Sequence, residues 1–161
     1  MKRRRALTKG TAVALAACLC LCLCACTAHT ASCTLVSAAL TDTLSGDGLS
    51  LSFNGKAIVE VVIDITLAEK FTAVDAKLGE DAYRQQMFAA VLKGCTLTVG
   101  TREFTATYGC LPNSVLPYSA KDLTLFFFVP KDSALQDLTF SLDGSVLGDP
   151  SYQFSQVLGA A

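Results

Sequence analysis

Ala57-Ile58-Val59-Glu60-Val61-Val62-Ile63-Asp64-Ile65-Thr66-Leu67 is the stretch that decides the fold class. Successive side chains of an extended chain point to opposite faces, so Val59, Val61, Ile63, Ile65 and Leu67 share one face. Glu60, Val62, Asp64 and Thr66 take the other, which makes this a half-buried strand with a polar outer side. Just upstream, Leu49-Ser50-Leu51-Ser52-Phe53 alternates in the same way, and Asn54-Gly55 follows as a hairpin turn pair.

Downstream the pattern changes once. Tyr83, Met87, Phe88, Val91 and Leu92 recur at three- and four-residue intervals, a helical apolar stripe over about residues 80–93. Glu80 and Asp81 at its start and Lys93-Gly94 at its end suit the macrodipole and the C-cap. Strand texture then resumes in Thr96-Leu97-Thr98-Val99 and Phe104-Thr105-Ala106-Thr107-Tyr108, a hairpin turning between Gly100 and Glu103 with Leu97, Val99, Phe104, Ala106 and Tyr108 inward. Leu123 to Val129 (LTLFFFV) is apolar but for Thr124, as a central strand buried on both faces would be, and Pro130 ends it. Leu138 to Leu142 and Tyr152 to Leu158 add short strands around an Asp143-Gly144 turn. Seven to eight strands with one inserted helix, rather than a helix after each strand, favour an antiparallel β-sandwich over a parallel α/β fold.

The N-terminus reads differently. Lys2-Arg3-Arg4-Arg5 precedes an uncharged run from Gly10 to Ala25, the layout of an export signal, and the run is shorter than the roughly 20 residues of a comfortable membrane span. Leu23-Cys24-Ala25-Cys26 resembles a bacterial lipobox, in which the cysteine receives diacylglycerol. Leu15-Ala16-Ala17-Cys18 fits the small positions better but leaves an apolar stretch of only about eight residues, so Cys26 is the expected lipidation site and Cys18 the alternative. An uncleaved N-terminal anchor would likewise leave the remaining chain outside the cytoplasmic membrane. The organisation expected is a signal peptide over 1–25, a tether over 26–33 and a sandwich over 34–161.

Composition narrows the function. The chain is 52% hydrophobic and 17% charged, unlike a disordered segment. Five of its 13 basic residues precede residue 10, whereas all 14 acids lie at or after Asp42. The domain is therefore acidic, which argues against nucleic-acid binding. His29, the single histidine, falls in the tether, so a Ser-His-Asp or Cys-His site has no base in the domain. The alternating cysteines from Cys18 to Cys26 are spaced by Leu and Ala without charged neighbours and read as small apolar residues, not metal ligands. Glu60 and Asp64, at i and i+4 on a strand, stand about 13 Å apart, too far for a glycosidase pair. Asp143-Gly144-Ser145 and Gly148-Asp149 resemble calcium loops only loosely and fit ordinary turns. No enzyme, cofactor or metal is expected.

Three cysteines remain in the domain if Cys26 is acylated: Cys33, Cys95 and Cys110. A register pairing Val99 with Phe104 sets Cys95 opposite Tyr108, one diagonal step from Cys110. A Cys95–Cys110 disulfide is therefore expected, worth roughly 3 kcal/mol for a loop of about 15 residues. Cys33 is left unpaired.

Ser119-Ala120-Lys121-Asp122-Leu123 followed by Phe126-Phe127-Phe128-Val129-Pro130, with Leu138-Thr139-Phe140 and Tyr152-Gln153-Phe154 as closing strands, resembles the immunoglobulin-like domain of Gram-positive secreted proteins and lipoproteins, including a mycobacterial secreted antigen. The resemblance covers about residues 95–158. It implies an immunoglobulin-like sandwich at the cell surface and carries no catalytic residues across. The function expected is a lipid-anchored, extracytoplasmic, non-catalytic module binding a protein or envelope component, with the loop Gly109 to Ser119 as contact and Asn113 and Tyr118 as its binding residues. The alternative is a carrier or sensor of a small apolar ligand held between the 80–93 helix and the sheet.

Overall fold

The computed structural model describes residues 29–46, 49–68, 80–111, 115–116 and 118–159; the expected signal peptide and the expected lipidation sites Cys26 and Cys18 lie outside them. Two antiparallel sheets pack as a sandwich with one helix, the mainly β architecture that the alternation predicts.

The first sheet is built on β4 (Lys56–Thr66), whose ladders run to β1 (Ser32–Thr41) on one side and β9 (Ser119–Pro130) on the other. Beyond β9 lie two short pieces, β7 (Tyr108–Cys110) and β8 (Val115–Leu116). The second sheet runs β11 (Gln153–Val157), β10 (Leu138–Asp143), β5 (Cys95–Val99), β6 (Arg102–Thr105). A separate hairpin joins β2 (Thr43–Gly46) and β3 (Leu49–Ser52). The strand count thus exceeds the seven or eight expected; the additions are short pieces and β1, whose Ser-, Thr- and Ala-rich sequence gives no clean alternation. β1 begins at Ser32, and Ala31 and Cys33 beside it are already buried.

Alternation sets the core. Val59, Val61, Ile63, Ile65 and Leu67 are buried against Leu123, Leu125, Phe127 and Val129 of the same sheet and Leu97, Leu138, Phe140 and Leu142 of the other. Phe127 meets Phe140 edge-on at 6.1 Å between ring centres, and Phe140 meets Phe154 at 6.0 Å, an aromatic chain linking the two layers. As its apolar run requires, β9 sits between partners on both sides, and Phe126 on its outer face is also buried.

A bulge interrupts the β4–β9 ladder between Ile63 and Ile65, where Asp64 faces two residues of β9. Asp122 takes the left-handed conformation there (φ 55°), and its N–H donates to the Asp64 carboxylate at 2.9 Å. One strand carboxylate therefore holds the irregularity in place.

Helix α1 (Glu80–Gly94) buries Met87 and Val91 completely, with Phe88 and Leu92 half-buried beside them. Phe88 packs over Gly109, where any Cβ would collide with its ring and with the Thr124 carbonyl oxygen. The helix thus closes the sandwich on protein side chains.

Two expectations are corrected by topology. The Asn54-Gly55 turn forms, with Lys56 N–H donating to the Phe53 carbonyl at 3.1 Å and Gly55 at φ 70°, but it does not pair β3 with β4; β3 pairs β2. The β5–β6 hairpin forms with Leu97, not Val99, opposite Phe104. It ends at Thr105 because the chain then changes sheets: Ala106 N–H donates to the Cys95 carbonyl at 3.4 Å, and Thr107 N–H already donates to Phe126 of the first sheet at 3.0 Å.

Replacing Phe127 by Ala empties the junction of both sheets and should destabilise the domain by about 3–5 kcal/mol. Phe53→Ala, at a 40% exposed position, should cost far less. Urea unfolding midpoints of the two variants, at equal m-values, check the contrast.

Candidate interaction surface

The change of sheets at Ala106 decides where the proposed site residues fall. Cys95 opens β5, fully buried in the second sheet, whereas Cys110 ends β7, exposed in the first. The expected Cys95–Cys110 disulfide is therefore corrected: all three described cysteines are free thiols. Burial, with help from Asp64, pushes the Cys33 thiol up to about 12; burial, then Cys33, pushes Cys95 upward as well. Neither holds useful thiolate at neutral pH.

The loop expected to make contact is partly pinned down. Its flanks pair with β9 as β7 and β8, and Asn113 lies outside the described residues. Tyr118 is half-buried; its ring stacks on His29 at 4.0 Å and 21°, and its carbonyl accepts from Leu67 N–H at 2.7 Å. It fastens the start of the domain to the end of β4.

The turn aspartates are occupied locally. Asp143 Oδ1 accepts from Ser145 N–H at 2.9 Å, and Asp149 Oδ1 accepts from the Ser151 hydroxyl at 2.6 Å and its N–H at 3.0 Å. These bonds hold both carboxyls below the usual aspartate range: for Asp143 the Ser145 backbone N–H contributes most, for Asp149 the Ser151 hydroxyl. Among the described residues no group of three or more His, Cys, Asp or Glu could hold a metal ion. An open cleft of about 380 Å³ lies at the β5–β6 turn between Arg102, Pro130, Asp132 and Asp137. It is lined by no residue of α1.

Exposed aromatic surface is found on the outer face of the first sheet. Tyr108 is 59% exposed and stacks on Phe126 at 6.0 Å and 19°. Phe53, 40% exposed, leans on Phe128 at 4.6 Å. Pairing sets Tyr108, Phe126, Glu60 and Ala39 in one row across four strands, with Phe128, Ile58 and Thr41 in the next. Parity along the expected hairpin turned Tyr108 inward; the change of sheets turns it out. The local signal available in the sequence is Gly109, the small residue needed where β7 meets both Phe88 and β9.

Because the Asp143 and Asp149 carboxyls are lowered in the folded chain, their stabilisation is present above the ordinary aspartate range and is lost as pH falls through it and below. The double variant Asp143→Asn, Asp149→Asn should therefore lose less stability on acidification than the parent, checked by thermal melts between pH 6 and about pH 2.5.

No helix among the described residues is long and apolar enough to cross a membrane. Comparison of the chain with known protein families, curated proteins and solved structures gives no match.

Proposed function

We propose that this protein is a lipid-anchored, extracytoplasmic β-sandwich module that binds a protein partner without catalysis. The observation that carries the reading is the exposed Tyr108 stacked on Phe126. Large aromatic side chains held rigidly at a surface are the usual energetic centres of protein interfaces. The acylated Cys26 supplies the membrane attachment, and the acidic domain is kept from nucleic acid by its charge. A face belonging to a sheet offers a fixed surface, so binding costs little ordering of the protein itself. The helix side chains Met87 and Val91 are taken up by the core, which gives a binding face more support than a ligand chamber beneath α1.

The test has two parts. Intact mass of the protein made in a Gram-positive bacterium should begin at Cys26 with diacylglycerol added; a mass retaining Met1 overturns the lipid anchor. A photocrosslinking amino acid in place of Tyr108 should link the protein in living cells to a defined partner. The same group in place of Glu103, on edge strand β6 of the second sheet, should not. Equal labelling from both positions, or none from 108, overturns the assignment of the face.

A further inference from the structure

The row containing Tyr108 continues past Phe126 to Glu60. Tyr108 pairs directly with Phe126, and Phe126 pairs directly with Glu60, so all three project from the same side of the sheet. Val59 and Val61 on either side of Glu60 are fully buried, which fixes its side chain outward. Two interstrand spacings separate Tyr108 from Glu60, about 9.5 Å. Ala39 lies beyond Glu60 on β1, and Ser37 and Val62 stand in a neighbouring row, so the surface steps down from the aromatic wall to small side chains. The other charges on this face of β4 are committed or distant. Asp64 accepts from the Asp122 N–H, and Lys56 stands at the strand's far end, beside Pro130.

An exposed aromatic ring, held by stacking on a buried second ring, and a carboxylate at the end of the row make a receptor for a flat cation. A guanidinium lying on the exposed Tyr108 ring meets its negative face, while its N–H groups reach along the row, over the buried Phe126, to the Glu60 carboxylate. Arg suits such a row better than Lys because its charge is planar, stacks and donates in two directions at once. We infer that the Tyr108–Phe126–Glu60 row is an arginine-binding site, and that the partner presents an Arg-bearing segment to it. The negative charge of the domain draws such a segment in, and the carboxylate fixes where its side chain sits.

This inference rests on the proposed use of the outer face, and its test separates the two. Tetra-arginine, tetra-lysine and tetra-glutamate peptides are titrated into the purified full-length protein at 150 mM salt. Tetra-arginine should bind saturably and more tightly than tetra-lysine, and tetra-glutamate should not bind. Glu60→Gln and Tyr108→Ala should each weaken tetra-arginine about fivefold, with the double variant losing less than the product of the two. Glu103→Gln, which removes an acid elsewhere, should leave the affinity unchanged. Unaltered melting temperatures confirm that the variants are folded, as expected for half-exposed and exposed side chains. Equal weakening by Glu60→Gln and Glu103→Gln means attraction by net charge alone and overturns the site, as does the absence of saturable binding. A partner crosslinked at position 108 that tetra-arginine cannot displace would overturn the arginine site and leave the binding face standing. Tetra-arginine binding without a crosslinked partner would do the reverse.

Discussion

The ladder between β4 and β9 is the interaction on which the rest of the structure depends. It is the contact between the two most apolar stretches of the domain, and its inner side supplies Val59, Val61, Ile63 and Ile65 together with Leu123, Leu125, Phe127 and Val129. The second sheet buries its apolar side chains against this surface, with Phe127 meeting Phe140 between the layers. The single irregularity in the ladder is held by a hydrogen bond between strands, from Asp122 N–H to Asp64. β1 and the β7 and β8 pieces add to its edges, and α1 closes over its flank through Phe88 and Gly109.

The same ladder positions the outer surface. A side chain that faces out from β4 or β9 does so because its neighbours face in, so the rigidity of the core is handed directly to Glu60 and Phe126. Tyr108 joins them because the chain leaves the second sheet at Ala106 and pairs with Phe126 within two residues. Surface chemistry and packing are therefore linked: the close approach that needs Gly109 is also what brings Tyr108 into line.

Several polar features that could suggest chemistry are structural. Asp143 and Asp149 spend their oxygens on turn amides and a hydroxyl, Tyr118 on fastening His29 and Leu67, and Tyr152 on the Cys33 backbone N–H at 2.7 Å. Cys33 and Cys95 behave as core residues whose thiols are held protonated by burial. These contacts are local or edge-closing, which is how a sandwich satisfies the backbone where its ladders end.

Much of this is legible in the sequence. Alternation in 57–67, the largely apolar run in 123–129 and the three- and four-residue spacing in 80–93 each identify an element, because each pattern reports how many faces of that element are buried. The turn roles of Asn54-Gly55 and Asp143-Gly144 follow from local backbone preferences in the same way. Strand pairing does not. β3 pairs β2 despite the turn leading to β4, and β1 is recruited to β4 although its Ser, Thr and Ala residues show no strong period. The side on which Tyr108 lies, and the separation of Cys95 from Cys110, follow from a change of sheets at Ala106 that no local pattern encodes. Alternation fixes which residues share a face only while the chain stays in one sheet. Once it crosses to another, inside and outside are set by the packing of two layers, and that is a property of the tertiary structure alone.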